Sequence, residues 1–380
     1  MAQGDFGSVI DSLTFESTYA IYPDLLHIDG EVYAIAYTGG DSDGWLKTFS
    51  IDSGGNISAA AIDTLEFEIN KGYIPRLIHI SGTLYAIVYA NINADGAVST
   101  ITISNDGNIG AGLIDTLVFD VWAANGGKIC HVAGDIYAIV FTGYASDGFV
   151  ITVDIDSAGN IENAEIDRLE FDGVQGIYPA IVRVSTGYYA VAYQGVDGDG
   201  FIKTFTVSGL GAIGAGSIDT FEFETTEAQD LRFIHIADTI FAVAYTGGGG
   251  GGTIKTISIS ATGDIGASVI DTLIFSATSA NFIDFLSCGE NLFVIAYQDV
   301  DSDGKLVSFT ISDAGEISNA VLDTLEFETD NCMSLSLRHV TGDIFAIAFV
   351  NSSFDGYLIT FDLETAVPAI AKHLPLMGIG

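Results

Sequence analysis

The sequence predicts an all-β chain, a closed seven-bladed β-propeller of four-stranded antiparallel blades. Three observations predict it. One six-residue phrase returns seven times at a constant step of 52 residues, each unit holds four short strand patterns, and one strand per unit is apolar on both faces.

The phrase Ile-Asp-Thr-Leu-Glu-Phe and its variants begin at Ile10, Ile62, Ile114, Ile166, Ile218, Ile270 and Leu322. A glycine after an acidic turn keeps the same beat at Gly44, Gly96, Gly148, Gly200, Gly252, Gly304 and Gly356. No unit gains or loses a residue relative to the others, and seven units of 52 account for 364 of the 380 residues. Four strands per unit at a period near 50 is the repeat signature of a propeller.

In the first unit the spacing predicts strands at Asp24–Asp29, Val32–Thr38, Gly44–Ile51 and Ile62–Glu68, joined by turns rich in Gly and Asp. No segment keeps the i, i+3, i+4 spacing of a helix over ten residues. Along Tyr33-Ala34-Ile35-Ala36-Tyr37, side chains alternate between a bulky face and a small one, a pattern repeated at Tyr85–Tyr89, Tyr137–Phe141, Tyr189–Tyr193, Phe241–Tyr245, Phe293–Tyr297 and Phe345–Phe349. Both faces need covering. A ring in which each bulky face meets the next small face covers them all, whereas a stack with free ends needs caps. The chain opens on a fourth-strand segment, Ile10–Glu16, and its last unit stops after a third strand, Gly356–Leu363. The N-terminal segment is therefore expected to supply the outer strand of the last blade, which removes a free sheet edge. Residues 1–365 read as the propeller domain. The remainder, 366–380, is an apolar tail with Pro368 and Pro375, expected to dock on the propeller, join a second subunit or lead to an attachment.

Acidic residues number 50 against 12 basic ones, for a net charge of −38. Such a surface repels nucleic acid and anionic lipid, whose phosphates require clustered Lys and Arg. No apolar run approaches the roughly 20 residues of a spanning helix, and the strands are shorter than the about 9–11 residues of a membrane barrel, so membrane insertion is not expected. Met-Ala-Gln-Gly-Asp-Phe-Gly has neither the basic nor the apolar region of a signal peptide. Cys130, Cys288 and Cys332 cannot all pair, and they read as small buried hydrophobes.

The units, with Pro23-Asp24-Leu25-Leu26-His27-Ile28, Tyr33-Ala34-Ile35-Ala36-Tyr37, Asp41-Ser42-Asp43-Gly44 and Ile62-Asp63-Thr64-Leu65-Glu66-Phe67, resemble the repeats of uncharacterised microbial propeller proteins of a secreted or surface-attached type. The resemblance spans residues 10–364. It implies the fold and an extracellular, cell-surface or particle-surface setting, and says little of activity.

Three constellations bear on chemistry. Acidic turns at Asp41–Gly44, Asp197–Gly200 and Asp299–Gly304 look like the start of calcium loops, with Asp299, Asp301 and Asp303 the best metal candidates. The closing acid is missing, since Thr310 and Val307 stand where it would fall, so Ca²⁺ is the weaker reading and a hairpin turn with positive φ at Asp-Gly the stronger; no other cofactor is expected. Five of six histidines share one repeat position, His27, His79, His131, His235 and His339, with Arg183 and Ser287 completing an axial ring. Copying around a ring predicts a structural bond to a backbone group of the next blade. The repeated Asp of the fourth strand is expected to find third-strand hydroxyls such as Thr48 and Thr100. No Ser/His/Asp or Cys/His set can be identified, so no catalytic residue is assigned.

Framework positions barely change between units, while two loops do. These are the connection to the next blade and the acidic turn, both on one face, where binding on a rigid scaffold concentrates. Tyr19, Tyr22, Trp45, Tyr73, Trp122, Tyr144 and Tyr178 are the binding-face candidates. The first expectation is a non-enzymatic binding or assembly scaffold, engaging a protein partner or self-assembling through 366–380. A carbohydrate-binding lectin and a glycan hydrolase or lyase at the channel mouth are the alternatives.

Overall fold

The computed structural model describes residues 2–365; the tail expected to dock, 366–380, lies outside the described residues. Seven four-stranded antiparallel sheets stand in a ring. In blade 1 the strands run Ile21–Asp29, Val32–Thr38, Gly44–Ser50 and Asp63–Glu68, from the axis outward. The N-terminal strand, Phe6–Glu16, pairs with Gly356–Leu363 and completes blade 7.

Alternation of large and small side chains sets the blade-to-blade packing. Ala34, Ala36 and Leu46 of blade 1 meet Tyr85, Ile87 and Tyr89 of blade 2. The closing seam repeats this, with Ala346, Ala348 and Leu358 of blade 7 against Tyr33, Ile35 and Tyr37 of blade 1.

The repeated Asp does something other than expected. Instead of bonding the hydroxyl of its own blade, Asp63 Oδ2 accepts the backbone N–H of Ile109 in blade 2 at 2.8 Å. Thr48 Oγ1 donates to Gly107 O of the same turn at 2.6 Å. Each residue reaches over the seam because the next blade's turn offers one free donor and one free acceptor, which a carboxylate and a hydroxyl match. The closing seam carries the same staple, Asp11 to Ile57 N at 2.8 Å and Thr360 to Gly55 O at 2.6 Å.

The glycine after the acidic turn is also needed for another reason. Positive φ falls on Asp41 and Ser42, before the Asp43-Gly44 pair. Gly44 opens the third strand, and a Cβ there would lie 2.5 Å from the Phe67 ring. Equivalent rings crowd Gly96, Gly148, Gly200, Gly252, Gly304 and Gly356. It is the close approach of a phenyl ring that demands glycine at this position.

The inner strand starts three residues earlier than the sequence pattern suggests, at Ile21, and carries a register shift between Ile21 and Asp24. At the shift the backbone turns left-handed in every blade, with φ between 49° and 66° at Tyr22, Ile74, Gly126, Tyr178, Asp230, Phe282 and Ser334. For the β-branched Ile74 this conformation is strained. Such a bulge re-aims side chains, and here it sits at the mouth of the axial channel.

Candidate functional site

Strands that alternate in direction place three features on one face: the start of each inner strand, the turn between second and third strands, and the connection to the next blade. Backbone bonds tie the last two together, as in Ala124 N to Ala94 O at 2.9 Å and Gly176 N to Ser146 O at 2.7 Å.

The sequence-predicted aromatics separate into groups on this face. Tyr22 and Tyr73 meet edge to face at the channel mouth, with hydroxyls 3.1 Å apart. Burial, then the Tyr73 hydroxyl, pushes the Tyr22 phenol well up from its ordinary value. Lys71 lies over the Tyr73 ring. Tyr178 lines the same mouth across the axis. Trp122 and Tyr144 form an outer pair 6.4 Å apart, 75% and 68% exposed. Tyr19 stacks on Phe354 at 5.0 Å. Trp45 is half-buried and packs against the edge of the blade 1 core. On the turns and connections of blades 2 to 4, Ile69, Ile92, Val121, Val174 and Val196 are also exposed, and blade 6 adds Val300 at the repeat position of Tyr144. The matching stretch of blade 5 holds Thr225, Thr226 and a run of glycines.

The histidine ring lies at the opposite end of the inner strands. Each imidazole bonds its own turn, not the next blade: His27 Nε2 lies 2.9 Å from Gly30 O, His79 3.0 Å from Gly82 O, His131 2.9 Å from Gly134 O, His235 2.9 Å from Asp238 O and His339 2.8 Å from Gly342 O. The hairpin is short enough for its own carbonyl to arrive first. Each ring also packs on the first aromatic of its second strand, such as Tyr33 at 4.9 Å. Arg183 follows the same rule, donating to Ser185 O at 3.3 Å. Ser287 stands at the seventh place of that ring, where Leu286 and Cys288 flank it.

In the acidic turn at 299–303, Asp299 Oδ1 accepts the N–H groups of Asp301 at 2.9 Å and Asp303 at 3.0 Å, while Oδ2 faces Lys305 at 3.6 Å. Among the described residues no three His, Cys, Asp or Glu side chains converge as metal ligands. The three cysteines are unpaired, and burial pushes the Cys130 thiol up to about 12.

What sequence reasoning missed lies three residues before the histidines. At the mouth end of the bore, one repeat position reads Asp24, Arg76, Lys128, Ala180, Arg232, Asp284 and Ser336, with Arg338 beside it. The acceptors form one side of the ring. Asp24 Oδ2 accepts Leu77 N at 2.7 Å, Asp284 Oδ2 accepts Leu337 N at 2.7 Å, and Ser336 Oγ accepts Leu25 N at 3.0 Å, each in the following blade. Arg232 Nε bonds Asp284 at 3.0 Å, and Arg338 bridges Asp24 at 3.5 Å and Asp284 at 3.7 Å. Burial raises the Asp284 carboxyl, but Arg232, Arg338 and the Leu337 N–H overcome this and hold it below its usual value. It therefore stays ionised and does not supply the protonated acid of a glycosidase pair. The signal that would have found this site is a column in which otherwise uniform repeats disagree in charge. Above it opens a cavity of about 430 Å³, lined by Tyr22, Ile74, Tyr178, Asp230 and Phe282 at the rim and by Arg76, Lys128 and Arg232 below.

Compared with known families and with curated proteins, the sequence matches none. Among solved structures the chain is similar to BBS1N, in a structure of its complex with ARL6DN, at 10% identity, a TM-score of 0.59 and coverage of 96% of this chain and 99% of that one. It is similar also to Sqt1 from Chaetomium thermophilum, at 12% identity, a TM-score of 0.55 and coverage of 90% and 82%. At such identities the likeness is one of fold.

Proposed function

We propose that this propeller is a protein-binding scaffold that engages its partner through the arc of exposed apolar side chains over blades 2 to 4. One observation carries the reading: Trp122 and Tyr144 stand together in solvent, on loops held to a rigid frame, and the loops of blades 2 to 4 also expose Ile69, Ile92, Val121, Val174 and Val196. Tryptophan and tyrosine anchors of this kind dominate protein interfaces, and exposed apolar surface gathered in one place marks such sites. The solved BBS1N structure, a complex with ARL6DN, is an instance of a similar fold bound to a protein. A lectin with a site in every blade would repeat its aromatics, whereas Trp122 and Tyr144 have no counterparts in the other units.

The test uses the full chain, immobilised, against extract of the source cells and their surroundings. Trp122→Asp with Tyr144→Asp should abolish capture of a specific protein, while His131→Asp on the opposite face should not. Capture that survives the first pair of substitutions would refute the arc as the interface.

A further inference from the structure

The bore raises a separate question, because its charge is opposite to that of the molecule. The chain carries 12 Lys and Arg against 50 Asp and Glu. Four of the cations, Arg76, Lys128, Arg232 and Arg338, gather around the axis with only Asp24 and Asp284 among them, and Asp230 stands at the rim. Arg232 and Arg338 are matched by the two carboxylates. Arg76 and Lys128 are not. The Arg76 guanidinium donates Nη1 to Pro75 O at 3.1 Å, but its buried Nε has no partner among the described residues. Lys128 joins none of the bore's ion pairs. A buried guanidinium N–H left without an acceptor is costly unless something else fills the place.

Backbone donors add to this. In three blades the axial residue accepts an N–H of the following blade, at Leu77, Leu337 and Leu25. The equivalent N–H groups belong to Ile129, Ile181, Phe233 and Phe285. The residues at their capping positions are Arg76, Lys128, Ala180 and Arg232, none of which accepts. At this position of the axial column, blades 2 to 5 therefore supply no side-chain acceptor to these N–H groups.

We infer that the mouth of the channel is a binding site for a small organic oxyanion, a carboxylate or phosphate ester, whose charged head is held by Arg76, Lys128 and the facing backbone N–H groups, and whose apolar body rests among Tyr22, Ile74, Tyr178 and Phe282. The cavity of about 430 Å³ has room for such a molecule. Burial, then Arg76 and Arg232, hold the Lys128 ammonium well below the usual lysine range, with Asp24 and Asp284 acting against them. An anion beside it reverses that effect. The site lies inside the bore and does not depend on the outer arc being an interface.

The test is calorimetric titration of the full chain with phenyl phosphate, benzoate, inorganic phosphate and chloride. Phenyl phosphate or benzoate should bind, and chloride should not compete at tenfold excess. Whichever of the two binds identifies the head group. Lys128→Gln should weaken binding at least tenfold, as expected on losing a charged hydrogen bond. Ala180→Asp supplies an acceptor where Asp24 and Asp284 have one; it should abolish binding while leaving the melting temperature unchanged or raised, which separates loss of the site from loss of the fold. No binding of any probe at 10 mM, or binding that both variants leave intact, would overturn the site. Neither result would touch the partner-binding reading, whose test is Trp122 with Tyr144.

Discussion

If the ring is closed by the N-terminal strand, its last seam should be as strong as any other, and a single carboxylate can show it. Asp11→Ala removes the bond to Ile57 N across the closing seam and a second to Ser12 N, both 2.8 Å. Asp63→Ala removes the same two bonds, to Ile109 N and Thr64 N, between blades 1 and 2. A hydrogen bond to a charged group contributes about 1.5–3 kcal/mol, and the abandoned half-buried N–H adds to the loss, whereas the exposed bond to the neighbouring residue counts for little. Each substitution should therefore cost about 2–3 kcal/mol. At roughly 2.1 cal/mol/K per residue, unfolding a chain of this length carries an entropy of about 0.8 kcal/mol/K, so the melting temperature should fall by about 3 °C. Asn keeps an acceptor oxygen without the charge and should cost about half as much. Scanning calorimetry on the four variants measures it. An Asp11→Ala melting temperature equal to wild type beside a lowered one for Asp63→Ala would mean that blades 7 and 1 are not stapled, and closure would be refuted.

Two further outcomes follow from the packing and the seams. Gly148→Ala places a methyl 2.2 Å from the Phe171 ring and should destabilise by about 1–3 kcal/mol, with Phe171→Leu in the same chain recovering part of the loss in denaturant titration. Glu16 and Glu224 span seams to Tyr37 with Lys47 and to Tyr245 with Lys255; burial raises both carboxyls, but these donors together with Thr18 and Thr226 bring them to about 2. Because the folded values lie below the ordinary 4.5, their contribution is complete above about pH 4.5 and is lost as pH falls toward 2. Glu16→Gln with Glu224→Gln should lower the melting temperature at pH 7 and narrow the gap to wild type at pH 3, and a gap that is constant with pH would refute the linkage.

The architecture was legible because a propeller is a repetition of local patterns. Alternation along Tyr33–Tyr37 fixes which side of the strand is bulky, and a constant 52-residue beat leaves no slack for another topology. Partners across seams were less legible. Asp63 and Thr48 are neighbours in the register of one blade, yet both bond the next one, because backbone groups left over at a turn have no sequence signature. The inner-strand bulge was hidden for a similar reason. Left-handed backbone is borne by Tyr22, Ile74, Tyr178 and Phe282, residues that give no hint of it, and only at Gly126 does the sequence allow it freely. Candidate aromatics were found by residue type alone. Type did not separate Trp122, which stands in solvent, from Trp45, which packs against its own blade.

The repeats also supply their own internal control for what is structural. Where the copies do one job they agree: the Asp of the seam and the glycine beneath the phenyl ring in all seven, and the histidine that closes its hairpin in five. The few cations obey the same logic when they serve the frame. Lys47, Lys203 and Lys255 share one repeat position and bond Glu16, Asp172 and Glu224 across a seam at 3.0–3.1 Å. Departures from uniformity fall elsewhere, and they fall together. The axial column loses its acceptors from blade 2 to blade 5, while most of the exposed apolar side chains of the rim fall over blades 2 to 4, with Val300 of blade 6 apart from them. Both changes occupy the face that carries the channel mouth, and the cavity there extends outward to Thr142 and Ser146 of blade 3, whose turn bears Tyr144. The cationic part of the bore and most of the apolar rim share one half of that face, which is the arrangement that the two proposals require.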